Sequence, residues 1–112
     1  MCIRDRNTIR IYANSVSDDL ALNSGSWVAD EWVHIGIIRN TSNLVTLYIN
    51  GDAQTDTETV NEAIKYRYIG ATGASTYTYD GAIDDVCIYE DELLAAEVKR
   101  NYNAGKGSHR NV

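Results

Sequence analysis

The chain of 112 residues is long enough for one domain and no more, and a chain of this size buries only roughly 60 to 70% of its unfolded surface on folding. Hydrophobic residues at 44% and charged residues at 23% are globular proportions, and a net charge of −6 disfavours nucleic acid and anionic membranes as partners while leaving cations and neutral ligands open. No apolar run approaches the roughly 18 residues of a membrane span, so membrane insertion is not expected, and the start lacks the charged-then-apolar layout of a signal peptide.

Residues 1–6, Met-Cys-Ile-Arg-Asp-Arg, fit no pattern that follows and read as a non-native leader. Cys2 and Cys87 are too few and too far apart for a zinc site or a disulfide framework. Residues 8–13 alternate with period two, placing Ile9 and Ile11 on one side of a half-buried strand. Asn14 to Asp19 reads as a polar loop before a short strand around Leu20 and Leu22, and Asn23 to Ser26 as a turn.

Residues 32–38 are β-branched and aromatic, with Val33, Ile35 and Ile37 on one face and Trp32, His34 and Ile38 on the other, so both faces are expected to be covered. A polar loop at 40–43 leads into Leu44 to Asn50, where Val45, Leu47 and Ile49 share a face, and the two strands predict a hairpin. Asn50-Gly51 supplies a positive-φ turn. The polar stretch Asp52 to Glu62 reads as a solvated loop before a strand at 66–69. After a small-residue loop, Tyr79 to Tyr89 predicts a final strand. Its alternation puts Asp84, Val86 and Ile88 inward and Asp85 and Cys87 outward. Leu93, Leu94, Val98 and Tyr102 then recur at helical spacing, predicting a short helix over 93–102 stopped by Gly105, with a disordered tail over 105–112. The expected main core is Val33, Ile35, Ile37, Val45, Leu47, Ile49, Val86 and Ile88.

Two segments carry a family signal. Trp32-Val33-His34-Ile35 with Leu47-Tyr48-Ile49-Asn50-Gly51 resembles the "W-x-H-V … L-Y-V-N-G" hairpin of laminin-G-like domains, within the concanavalin A-like lectin and glucanase superfamily. Ile69-Gly70, the run Tyr79 to Tyr89, Leu93 and Glu97-Val98 resemble that family's closing "I-G … F-x-G-x-I-D-D/E-V-R-I-Y-x-x-x-L … E-V". The resemblance covers residues 7–104. It implies an all-β fold, an antiparallel β-sandwich of jelly-roll type with one short C-terminal helix, used extracellularly or at the cell surface for carbohydrate or protein binding, sometimes with structural calcium. The family's early strands would precede residue 7, so the domain is expected to be partial, a module of a larger multidomain parent. Cys87 stands where the family has arginine, and Leu94 where it places a capping serine three residues before glutamate.

Asp84 is the most informative polar residue. An inward carboxylate needs partners, either backbone N–H donors or a calcium ion, and the resemblance supports the latter. Asp52, Asp56, Glu58 and Glu62 lack the ligand alternation and central glycine of an EF-hand loop. His34 has no second histidine at ligand spacing and reads as a packed, hydrogen-bonded side chain. Trp27, Tyr68 and Tyr77 offer flat faces on which a sugar ring can stack, whereas Tyr79 occupies the family's core aromatic position. Asn40-Thr41-Ser42 matches an N-glycosylation sequon. No E-x-D-x-x-E strand of a glucanase, nucleophile elbow or phosphate loop is present, so no catalytic residues are expected. The sequence thus predicts a non-catalytic extracellular module for carbohydrate recognition or adhesion. Its alternative is a structural or assembly domain of a surface or phage protein with no ligand of its own.

Overall fold

The computed structural model describes residues 8–13, 16–21, 30–61, 69 and 81–106, with side chains over 30–61, 69 and 81–106. Among these, β1 (Thr8–Ala13) and β2 (Val16–Ala21) form a two-stranded antiparallel sheet in which Thr8 pairs with Ala21 and Ala13 with Val16. A second antiparallel sheet has the order β3 (Ile35–Arg39), β4 (Leu44–Ile49), β5 (Asp52–Thr59), and β2 runs near β5. One helix, α1 (Ala95–Lys106), follows. The β3–β4 hairpin therefore forms where alternation predicts it, but the loop between β1 and β2 is shorter than expected, and Ser17, Asp18 and Asp19 lie within a strand.

The β3–β4 turn is held by its asparagines. The Asn40 side-chain oxygen accepts the N–H groups of Ser42 and Leu44, both at 2.9 Å, and Asn43 takes the left-handed φ of 65°. Such side-chain-to-backbone bonds are the usual way Asn closes a tight turn. At the other end of β4, Asn50 (φ 51°) and Gly51 (φ 80°) form the two-residue turn expected of Asn-Gly.

The core is centred on β4, whose Val45, Leu47 and Ile49 are buried, joined by Val60 beyond β5. Asp52–Thr59 corrects the expectation of a solvated loop: it is a strand, with Gln54, Asp56, Glu58 and Val60 turned toward this core side and Thr55, Thr57 and Thr59 exposed. The polar composition hid it, because the inward positions are mostly not apolar; the β-branched threonine at alternate positions was the available signal. Its ladder with β4 shifts register between Thr46 and Tyr48, an irregularity at which residues 54–56 of β5 stand against Leu47.

The expected core shrinks in two places. Ile35 and Ile37 share the face of Leu47 and Ile49 by register, yet are 40% and 55% exposed, and Val33 is only half-buried, because β3 is an edge strand with nothing laid over that side among the described residues. Val86 and Ile88 are 52% and 59% exposed, and residues 82–89 do not form the expected final strand. The alternation breaks at Asp85, which adopts φ 53° while its N–H donates to the Asp84 carboxylate at 2.8 Å, a local bond that competes with a sheet ladder. Asp84 is consequently exposed rather than inward-facing. Residues 1–6, the 66–68 strand and the 107–112 tail lie outside the described residues.

Helix α1 begins two residues later than the spacing suggests and continues through Gly105 to Lys106. Leu94 is its N-cap: its carbonyl accepts from Glu97 and Val98, and the Glu97 carboxylate reaches back to the Leu94 N–H at 3.0 Å. This is the glutamate half of a capping box without the serine half. The buried Val98 seats the helix on the other face of the sheet, where Gly36 presents bare backbone; a Cβ at Gly36 would already touch Val98 Cγ1 and Tyr48 Cβ at 3.4 Å.

Candidate functional site

Where α1 crosses the sheet it leaves a cleft of about 110 Å³ beside the outer side of β3. Its floor is residues 34–38 of β3 and its approach, its far wall Cys87 and Tyr89, and its helical wall Leu93, Val98 and Asn101. Each element arrives there for a local reason. The Asn50 turn fixes His34 from both sides, since the Asn50 N–H donates to the His34 carbonyl at 2.9 Å and the His34 N–H donates to Asn50 Oδ1 at 3.0 Å. On the helix, Asn101 follows Val98 by three residues and so shares its inward side. Its amide donates to the Tyr89 hydroxyl at 3.4 Å, tying residue 89 to α1.

His34 is the polar centre of this region. Its ring lies 5.9 Å from Tyr102 at a tilt of 56°, and its Nδ1 is buried with no hydrogen-bond partner among the described residues, where the sequence suggested a bonded histidine. Burial lowers its pKa below 6.5 because desolvation penalises the imidazolium. Cys87 is exposed and lines the same cleft, but Nδ1 of His34 makes no hydrogen bond to its thiol. The outer rim of the helix is cationic: Lys99 pairs with Asp52 at 2.9 Å, and both Lys99 and Lys106 place their ammonium groups 5.6 Å from the Tyr102 ring centre.

Of the residues singled out from sequence, Asp84 is described and the other three are not: Trp27, Tyr68 and Tyr77 lie outside the described residues. Asp84 stands on the exposed segment before Cys87 and is not part of the cleft. No group of three or more His, Cys, Asp or Glu side chains able to hold a metal ion occurs among the described residues, so these residues alone do not make a calcium site at Asp84. Sequence reasoning missed Tyr89 and Asn101 as cleft residues; the i, i+3 relation of Asn101 to Val98 was the signal for one, and nothing local signalled the other. None of the described helices is long and apolar enough to cross a membrane.

An antiparallel meander with an Asn-Gly corner, closed by a C-terminal helix seated on the strand that follows the Trp-x-His segment, defines the class: an all-β domain with one terminal helix. The profile of the laminin-G-like family of the concanavalin A-like lectin/glucanases superfamily matches residues 2–99, and the chain belongs to that family. Its superfamily fold is the β-sandwich jelly roll; the described residues show the three-stranded sheet, the β1–β2 hairpin and the helix. A crystal structure of an S-layer domain-containing protein from Clostridium thermocellum is similar in fold, with a TM-score of 0.58 and 22% identity over 77% of this chain. The chain spans 45% of that structure's length. No curated protein matches the sequence.

Proposed function

We propose that this domain is a non-catalytic module of a cell-surface or extracellular protein that recognises carbohydrate. The observation that carries the reading is the family match across residues 2–99, which brings the chain into a superfamily named for its lectins and glucanases. Of these two possibilities the sequence favours the lectin, because a glucanase of this superfamily needs two carboxylates across one glycosidic bond and no strand carries the E-x-D-x-x-E arrangement. Likeness to an S-layer domain-containing protein supports a surface location and a multidomain parent. Trp27, Tyr68 and Tyr77 are the proposed sugar-stacking residues, with calcium at Asp84 a subsidiary proposal that requires oxygen ligands from elsewhere in the domain.

A glycan array probed with the chain, in calcium and again in chelator, tests the reading. Retention of a coherent family of glycans supports it; no retained glycan in either condition removes it. The second reading, a structural or assembly domain, is favoured by one observation: apolar Ile35 and Ile37 are 40% and 55% exposed, with no strand paired beyond β3 among the described residues.

A further inference from the structure

Helix α1 is lightly seated. Val98 is its one buried side chain, and it rests where Gly36 presents bare backbone beside Tyr48. The ties around that anchor are weak. Lys99 and Asp52 form an exposed ion pair, the Asn101 amide reaches the Tyr89 hydroxyl only at 3.4 Å, and Tyr102 meets the His34 ring tilted at 5.9 Å. A helix of 12 residues is marginal by itself in water, so α1 keeps its hydrogen bonds only while it is docked.

The histidine under this helix has no place for a second proton. Its Nδ1 is buried and meets no hydrogen-bond partner among the described residues, and Asn50 Oδ1 is already taken by the His34 backbone N–H. The helix is itself cationic, with Lys99, Arg100 and Lys106 against Glu97. On it, Tyr102 carries the ammonium groups of Lys99 and Lys106 at 5.6 Å each, so an imidazolium would be the third cation on that ring. On β5 the carboxylate is Asp52, which Lys99 already pairs at 2.9 Å. Across the cleft stand the Cys87 thiol and the Tyr89 hydroxyl, neither of them a charge partner. We infer that His34 is an acid-sensitive latch for α1: the helix stays docked while the imidazole is neutral and leaves the sheet when it is protonated, uncovering the cleft floor at residues 34–38. Release lets water meet both ring nitrogens and separates the cations. Burial holds the docked imidazole below 6.5, whereas the released ring returns to about 6.5. The released state therefore binds its proton first, and docking weakens as pH falls through 6.5 until the docked ring is protonated as well.

Native-state amide hydrogen exchange of the full chain from about pH 8 to about pH 5, expressed as protection factors residue by residue, tests this. The α1 amides should be protected at the upper pH, yet at least about tenfold less than those of the central strand β4, which report global unfolding. The opening constant of α1 should rise at least about threefold as pH falls, with its inflection at the pKa that an NMR titration gives for His34 in the same protein. His34→Phe keeps a ring that cannot take a proton and should remove that rise. If circular dichroism shows this variant to be unfolded, the match of the two wild-type inflections decides. Unprotected α1 amides at the upper pH, equal protection in α1 and β4, an α1 opening that ignores pH, an inflection away from the His34 pKa, or a rise retained in folded His34→Phe would overturn the inference.

Discussion

Replacing Gly51 by alanine probes the junction on which the sheet and the helix depend. Gly51 has φ 80°, where an L-residue is strained by about 1 to 2 kcal/mol. An added Cβ would also lie 2.7 Å from Lys99 Cδ, 3.2 Å from Tyr102 Cδ2 and 3.3 Å from Lys99 Cα. The Lys99 side chain can swing away, but doing so gives up its exposed pairing with Asp52, worth about 0 to 1 kcal/mol. The crowding against the Lys99 backbone has no such escape, so relieving it moves α1 away from the turn. Together these effects predict a loss of about 2 to 3 kcal/mol, or roughly 8 to 12 °C in Tm for a chain of this size. Gly51→Asn separates the two causes: asparagine tolerates positive φ but brings the same Cβ, so it should destabilise by about 1 kcal/mol. Urea unfolding followed by circular dichroism measures both. Gly51→Ala within about 0.5 kcal/mol of wild type would refute the reasoning.

Completing the capping box should stabilise the helix. Leu94 is 66% exposed, so Leu94→Ala removes little packing, and Leu94→Ser should exceed the alanine variant in unfolding free energy by about 1 kcal/mol; equal values would show that the cap is not limiting. For His34, the folded pKa lies below the unfolded 6.5, so the unfolded state binds its proton first. The stability its neutral form contributes is complete above pH 6.5 and is lost as pH falls below it. An NMR titration should place His34 below the ordinary 6.5, and His34→Gln should flatten the stability profile just under pH 6.5. Asp84→Ala, at an exposed position, should cost no more than about 1 kcal/mol without calcium, and a calcium-dependent rise in Tm that disappears in this variant would assign a metal to it.

The strands written in apolar alternation were legible in the sequence. Val45, Leu47 and Ile49 announce a buried face because every second residue is large and apolar, and Asn50-Gly51 announces the turn because few other pairs take two positive φ values. The same logic failed for residues 82–89, whose alternation is as good but whose Asp84-Asp85 pair bonds to itself and bends the chain. Pattern reports which face a side chain would occupy, whereas burial requires a second layer to cover that face, and for Ile35 and Ile37 none is present among the described residues. β5 was illegible for the opposite reason, since its inward face carries Gln54, Asp56 and Glu58. The cleft was half legible: His34 stood out, but its neighbours Tyr89 and Asn101 come together only when α1 folds back over the sheet.

The central claim is carbohydrate recognition, and the most direct measurement is a calorimetric titration of the best array glycan into the chain and into Trp27→Ala, Tyr68→Ala and Tyr77→Ala. Loss of one stacking face should weaken binding by about 1 to 3 kcal/mol, a roughly five- to 150-fold rise in Kd, in at least one of the three, while Leu94→Ala, at an exposed position outside both the cleft and the stacking set, stays near wild type. Binding with the same Kd in all three variants would contradict the assignment of these aromatics, and no measurable heat with any array-selected glycan would contradict the claim itself.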